Sequence, residues 1–325
     1  MKQINIGVLG YANIAMKAIL PAIESLPSHF KLMAIASTNA KKQFAIRSKY
    51  PDINIFTSYQ DLIDFKQIDA IYIPLPNSLH YEWIKKALEN NIHVFVEKSL
   101  ACSYNEVFEL NTLAQNNNLV LIENFQFRMH PQLDFLKRFI ETGKLGQIRY
   151  FRSTFSFPPF PDSNNIRYQK DLGGGALLDA GAYPIKIAQE LMGMDIELIS
   201  ANTYISDKTV DVAGGGTIKQ RKGTMFLQFA FGFDHFYQCN IEVLGTLGKL
   251  YTNRIFTAPP NHNPLFIHET PEGTHEIILA SANAYCNMLN HFYDCIFNKK
   301  LRTTEYNHNI VQAKLLNQFK LHLDE

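Results

Sequence analysis

The sequence predicts an α/β chain in two parts: a Rossmann-type doubly wound parallel sheet in front, and an α+β unit with a large open antiparallel sheet behind. Three observations carry this. Up to residue 124, short apolar runs alternate with helical stretches, the pattern of βαβ crossovers. Those runs are continuous rather than alternating, as expected of strands covered on both faces. Beyond them come strand-like segments separated by turn residues. One of these, 224–231, sets Met225, Leu227, Phe229 and Phe231 against Thr224, Phe226, Gln228 and Ala230, a half-buried antiparallel pattern.

In order, residues 3–9 form a strand that runs into Gly10-Tyr11-Ala12-Asn13-Ile14-Ala15 and a helix to about Ser25. Strand 31–37 ends at Ser37-Thr38-Asn39, with a helix through Lys49. Strands at 53–56, 70–73, 94–96 and 120–123 alternate with helices at 59–65, 79–90 and 104–117. A helix at 131–142 precedes strands at 148–157, 196–206, 210–219, 224–231, 237–244 and 249–253. Helices at 282–297 and 305–323 close the chain. Domains are expected at 1–124 and 125–325.

The bulk numbers exclude several function classes. At 325 residues and 46% apolar content, two cores are readily filled. With 31 basic and 30 acidic residues, there is no electrostatic footprint for nucleic acid or an anionic membrane. Cys102, Cys239, Cys286 and Cys295 are scattered without a C-x-x-C pair, so no metal or disulfide framework is expected and a reducing cytoplasmic setting fits. Asn5, Gly7 and Gly10 interrupt the first apolar run too early for a signal peptide. No stretch approaches the ~18 apolar residues of a membrane span.

The chemistry begins at the first turn. Gly10-x-Ala12-x-x-Ala15 is a shortened G-x-G-x-x-G/A. After the first strand of a βαβ run it places the backbone of Gly10, Ala12, Asn13 and Ile14 against a pyrophosphate. Taken alone it reads equally as an ordinary helix entry, and Ala12 narrows the approach. Strand two ends in Ser37 and Thr38 with Lys41 and Lys42 beyond, and has no carboxylate for a ribose 2′-hydroxyl. Hydroxyls and a cation suit a 2′-phosphate, so NADP is favoured and NAD is the alternative. Each lysine taken singly also fits a solvated helix start.

Tyr81-Glu82-Trp83-Ile84-Lys85 matches a Tyr-x-x-x-Lys pair, but its helix is short and Ile68 stands where a catalytic serine belongs, so it is read as chance. Glu97-Lys98 ends a parallel strand, the edge where open α/β sheets bind ligands. Farther on, Gly173-Gly174-Gly175 frees the backbone, and Asp179 and Tyr183 stand four apart, on one face of a helix. They are either a hydrogen-bonded core pair or, with Lys98, a polyol-binding and proton-transfer site.

These motifs, taken together, resemble the glucose-fructose oxidoreductase / inositol dehydrogenase family (Gfo/Idh/MocA). The residues carrying the likeness are Gly7 to Ala15, Tyr72-Ile73-Pro74-Leu75-Pro76-Asn77-Ser78-Leu79-His80, Val96-Glu97-Lys98, Phe127-Arg128-Met129-His130-Pro131 and Gly173 to Pro184. The G-x-A-x-I-A turn, Leu20-Pro21-Ala22-Ile23 and Tyr183 look most like the nucleotide-sugar 3-ketoreductases, with the dihydrodiol/xylose dehydrogenases close behind. The resemblance implies that Lys98 touches nicotinamide and substrate, that Asp179 holds a sugar hydroxyl, and that Tyr183 moves the proton. Pro74, Leu75, Asn77, His80, Glu97 and Arg167 would line the cofactor, with Arg167 also reaching the substrate. It further implies self-association through the second sheet, as a homodimer or homotetramer. The family's usual Glu-Lys-Pro is Glu97-Lys98-Ser99 here. The Lys-Pro bond in relatives is often cis, and a cis bond before a non-proline residue costs about 3 kcal/mol more than trans. Either this bond is cis or the Lys98 backbone is set differently.

The expected reaction is hydride transfer between a nicotinamide and a carbonyl or secondary alcohol of a sugar-like substrate, either a free sugar or a nucleotide-linked keto-sugar. Lys98 would stabilise the oxyanion and Tyr183 would deliver the proton, its phenol lowered from a reference near 10 by the neighbouring ammonium. The alternatives are an NAD-dependent diol or aldose dehydrogenase, and a non-catalytic dinucleotide-binding sensor, which has no use for a Lys98–Tyr183 pair.

Overall fold

A computed structural model describes residues 2–205 and 209–324. The chain forms two compact units, one of Met1–Asn124 with Tyr285–Ile310, the other of Phe125–Ala284 with Val311–Glu325. Among the described residues no helix is long and apolar enough to cross a membrane.

The first unit is built on six parallel strands, β1 (Ile4–Leu9), β2 (Phe30–Ala36), β3 (Asn54–Phe56), β4 (Ala70–Ile73), β5 (His93–Glu97) and β6 (Leu121–Asn124), in the order β3-β2-β1-β4-β5-β6. Ile6, Val8, Ile35, Ile71, Tyr72, Val94, Phe95, Leu121 and Ile122 are all at or near zero exposure, so the continuous apolar runs do mark strands covered on both faces. The crossovers are α1 (Leu20–Glu24, entered through a π-helical turn Ala15–Ile19), α2 (Ala40–Lys49), α3 (Tyr59–Asp64), α4 (Asn77–Glu89) and α5 (Tyr104–Asn116). Their starts are written in the sequence: Asn39 accepts from Lys42 N, Ser58 accepts from Gln60 N, and Ser103 with Glu106 forms a capping box.

The second unit carries α6 (Pro131–Glu141) and an eight-stranded sheet of β7 (Ile148–Ser156), β8 (Ile196–Ile205), β9 (Asp211–Gln220), β10 (Phe226–Gly232), β11 (Gln238–Gly245), β12 (Lys249–Thr252), β13 (Leu265–Thr270) and β14 (Gly273–Ile278). Helix α7 (Ala182–Met192) follows a π-helical turn at Leu177–Gly181. The strand order is β14-β13-β12-β11-β7-β10-β9-β8. The antiparallel expectation needs one correction: β7 and β10 pair in parallel, because β10 reaches β7 through the β8–β9 hairpin rather than directly. The last hairpin, β13–β14, was missed; its outer strand is mostly exposed, so no apolar alternation announces it. The expected strand end at Ser206 lies outside the described residues.

Two helices complete the chain, α8 (Ala284–Phe297) and α9 (Lys299–Asp324). The expected domain boundary differs here, since residues 285–310 return to the first unit. Phe292 packs at 5.4 Å from Phe95 and 6.3 Å from Phe30. Tyr306 Oη donates to Leu119 O at 2.5 Å, and Asn309 Nδ2 to Leu121 O at 3.0 Å. In the second unit, Gln312 Nε2 donates to Ala182 O at 2.9 Å. Phe229 and Phe231 face Phe319. Phe226 and Phe229 point to opposite faces of β10: their odd spacing sends Phe229 into the core and leaves Phe226 on the other face, stacked on Tyr150 at 5.3 Å.

Candidate functional site

In the first unit the strand order reverses between β1 and β4, and ligands of open α/β sheets sit outside the strand ends at such a point. Gly10 closes β1 with φ +117°, and a Cβ there would lie 2.9 Å from Leu75 Cδ2, so only glycine lets the two loops approach. Ala12 and Ile14 are half-buried and Asn13 is exposed, which leaves the backbone entering the helical segment open to an anion. This cradle fits a dinucleotide pyrophosphate. At the end of β2, Ser37 is buried, its hydroxyl accepting from Asn39 N at 3.3 Å. Thr38 and Lys42 are exposed beside it. Pro74 is buried, and Leu75 and Asn77 are half-buried at the mouth of β4.

The end of β5 is held at several points. Glu97 accepts from Tyr72 Oη at 2.6 Å and from Asn124 Nδ2 at 2.7 Å. Burial and the Glu97 charge together push the nearby Tyr285 phenol up to about 12. Leu100 N donates to the buried Glu123 at 2.9 Å. The Lys98–Ser99 peptide bond is cis. His80, fully buried, sets Nδ1 at 2.8 Å from Ser99 O and Nε2 at 2.8 Å from Leu75 O. The two carbonyls favour a protonated ring, but desolvation is the larger effect and lowers the pKa to about 4. The ring thus lies between the β4 and β5 loops with both nitrogens turned to backbone carbonyls, one of which takes its N–H when the ring is neutral, and it offers no polar atom to a ligand. Half-buried Lys98 stands on this braced segment.

In the second unit, Arg167 Nε donates to Asp179 Oδ2 at 2.7 Å, and the carboxylate, with Tyr183 also near, raises the arginine's pKa. The Arg167 guanidinium lies 4.8 Å over the Phe160 ring. Tyr183 is boxed by Phe155 at 4.9 Å, Phe125 at 5.3 Å, Phe256 at 5.6 Å and Phe127 at 6.0 Å. Such a box fixes the phenol ring in position. Sequence reasoning missed these phenylalanines, which carry only the signal of ordinary core residues. It also missed Asp211, whose Oδ2 accepts from Leu177 N at 2.5 Å and starts the turn that carries Asp179. Gly175, at φ +111°, is required beside it, because a Cβ would collide with Asp211 Oδ1. No feature of the sequence sets this aspartate apart from a turn residue.

The Tyr81–Lys85 pair lies at the surface, where both side chains bind Glu109. Among the described residues no group of three or more His, Cys, Asp or Glu is placed to hold a metal.

The model of the oxidoreductase family with an NAD-binding Rossmann fold, GFO_IDH_MocA, matches residues 4–125, and the GFO/IDH/MocA C-terminal domain matches residues 134–251. The chain belongs to this family. This Gfo/Idh/MocA oxidoreductase is 36% identical to dTDP-3,4-didehydro-2,6-dideoxy-alpha-D-glucose 3-reductase of Actinomadura kijaniata, over 90% of its own length and 87% of that protein's. It is 29% identical to D-xylose 1-dehydrogenase (NADP(+)) 2 of Haloferax volcanii, over 78% and 77% of the two chains. Among solved structures it matches a 3-ketoreductase from Actinomadura kijaniata in complex with NADP and TDP-benzene, with a TM-score of 0.92, 32% identity and 98% of each chain covered. That ketoreductase has also been solved with a lysine replaced by alanine and with a tyrosine replaced by phenylalanine. The family membership makes the chain a nicotinamide-dinucleotide-dependent oxidoreductase.

Proposed function

We propose that the protein is an NADP-dependent reductase of a keto-sugar carried on a nucleoside diphosphate, working in the cytoplasm. The observation that carries the reading is the second-unit constellation of Asp179, Arg167 and boxed Tyr183, in a chain 36% identical to a dTDP-keto-sugar 3-reductase. The cofactor is held by the backbone of Gly10, Ala12, Asn13 and Ile14, by Thr38 and Lys42 with Ser37 shaping their turn, and by Pro74, Leu75, Asn77, Glu97 and Arg167. When bound, NADPH supplies the hydride.

Lys98 places its ammonium at the carbonyl oxygen and stabilises the negative charge that develops there. Tyr183 gives that oxygen its phenolic proton, and Asp179, aimed by Arg167, accepts a hydrogen bond from a neighbouring hydroxyl. His80 acts behind Lys98 as a positioning residue. The substituted lysine and tyrosine of the solved ketoreductase support giving these two residue types the central roles.

A second copy of this chain is the proposed partner. The outward Tyr150–Phe226 stack and exposed Ile199 support self-association through the sheet; a monomer by light scattering refutes it. The reading as a whole is tested by following NADPH oxidation with a dTDP-linked 3-keto-sugar and with free keto-sugars. Turnover of free sugars alone, or oxidation of xylose in preference, would hand the function to the aldose dehydrogenase reading favoured by the xylose dehydrogenase relative.

A further inference from the structure

The segment between β12 and β13 is pinned by its backbone. Gln132 Nε2 donates to Arg254 O at 3.1 Å and Ile255 O at 2.9 Å, and Gln126 Nε2 donates to Phe256 O at 3.2 Å. Ile255 N donates to Cys239 O at 2.9 Å. A loop anchored in this way presents its side chains in fixed places. One of them, Phe256, packs against Tyr183. Two others, Arg254 and His262, are half-buried basic groups.

Arg254 lies 5.1 Å over the Tyr237 ring, and its Nε donates to Thr257 O at 3.3 Å. Among the described residues no carboxylate pairs with it. His262 is set by a turn in which its N–H donates to Pro259 O at 3.0 Å. His130 is 2% exposed and accepts from Gln132 N through Nδ1 at 3.2 Å. Its proton is therefore on Nε2, a buried donor with no acceptor. Gln132 links two of the three, its N–H meeting His130 Nδ1 at 3.2 Å and its side chain meeting Arg254 O at 3.1 Å. His262 lowers the pKa of His130, and Arg254 lowers that of His262, in each case after burial as the larger cause. No acidic group offsets either shift. A pinned arginine, a neighbouring imidazole and a buried N–H with no protein acceptor, with no counter-charge among them, make a donor set suited to an anion.

We propose that Arg254, His262 and His130 bind the diphosphate of the nucleotide-linked substrate. The proposal rests on the keto-sugar nucleotide reading above. Its placement follows from the chemistry: a pyranose reacting at one ring carbon beside Tyr183 carries its diphosphate across the ring, so the cationic groups belong about one ring's width from the tyrosine. Phe256 packs against Tyr183, and Arg254 stands two residues before it on the same pinned segment. Arg254 supplies the charge, with Tyr237 beneath it as a stacking surface. His130 supplies a fixed N–H.

The test is calorimetric titration of the NADP-loaded protein with thymidine diphosphate and, separately, with thymidine. The expected result is a Kd for the diphosphate at least about tenfold weaker in Arg254→Gln and several-fold weaker in His262→Gln, as when a charge-assisted hydrogen bond is lost. Thymidine binding, NADP affinity and the control Lys222→Gln should stay at wild-type values. Wild-type diphosphate affinity in both variants overturns the subsite. Equal loss of thymidine binding also overturns it, because the base rather than the phosphates would then be read there. A wild-type protein that binds no thymidine diphosphate at all overturns the nucleotide-linked reading, and the subsite with it.

Discussion

Arg167 holds Asp179 through a 2.7 Å contact between Nε and Oδ2. The carboxylate is more buried than the guanidinium, with 15% against 37% of the side chain exposed, so the arginine gives Asp179 a charge partner where water is scarce. Asp179→Asn should therefore raise the KM for the sugar substrate about tenfold or more and leave NADPH affinity unchanged. Initial-rate kinetics with fluorescence titration check this, and an unchanged KM removes Asp179 from substrate binding.

Lys98 and Tyr183 are proposed to serve one developing alkoxide. Each matters mainly in the transition state, so Lys98→Met and Tyr183→Phe should each lower kcat by roughly 10²–10⁴-fold. The double variant should lose much less than the product of the single losses. Fully multiplicative losses would mean that the two groups act independently.

Cofactor choice should follow the charge at the end of β2. With Thr38 and Lys42 exposed and no carboxylate there, NADP(H) should bind more tightly than NAD(H). Thr38→Asp should reverse that order by repelling the 2′-phosphate. Fluorescence titration of both cofactors decides it, and equal or tighter NAD(H) binding by the wild type refutes the expectation.

Acid should unfold the first unit through its buried imidazoles. His80 and His93 both have pKa values lowered to about 4, chiefly by burial. The folded state then binds fewer protons than the unfolded chain between that value and about 6.5, so stability is complete above the upper value and declines as pH falls toward the lower. For His80 the decline is on the order of 3 kcal/mol. Thermal melts from neutral pH down to pH 4 should show it. His80→Gln, which does not titrate, should start less stable at neutral pH and fall more gently, and a curve parallel to wild type would discount His80. The same variant should lower kcat, since it loosens the loop that carries Lys98.

Much of this was legible in the sequence. The parallel sheet was, because strands buried on both faces leave unbroken apolar runs between capped helices, as Ser58 and Ser103 show. Lys98 was singled out by its place at the end of a strand, and Asp179 and Tyr183 by their spacing of four after the glycine run. What stayed hidden depends on contacts distant along the chain. Asp211 starts the turn of Asp179 from 34 residues away, and the Tyr183 box draws on Phe125, Phe155 and Phe256, which local periodicity assigns simply to a core. Strand β14 has no buried face to create a pattern, and residues 285–310 look like any amphipathic end until their partners are known.

The cofactor-binding unit is not a portable module. Its chain departs at Asn124 and is completed only when residues 285–310 come back, bringing Tyr306 and Asn309 to the carbonyls of Leu119 and Leu121. Seen along the gene, the second unit is an insertion within the nucleotide unit, and α9 then spends its last turns on the insertion. Shuffling C-terminal halves between homologues by a single crossover near residue 124 would therefore also exchange a strip of the nucleotide unit's own core. A chimera that respects the fold needs its joints at 124, 285 and 310 together.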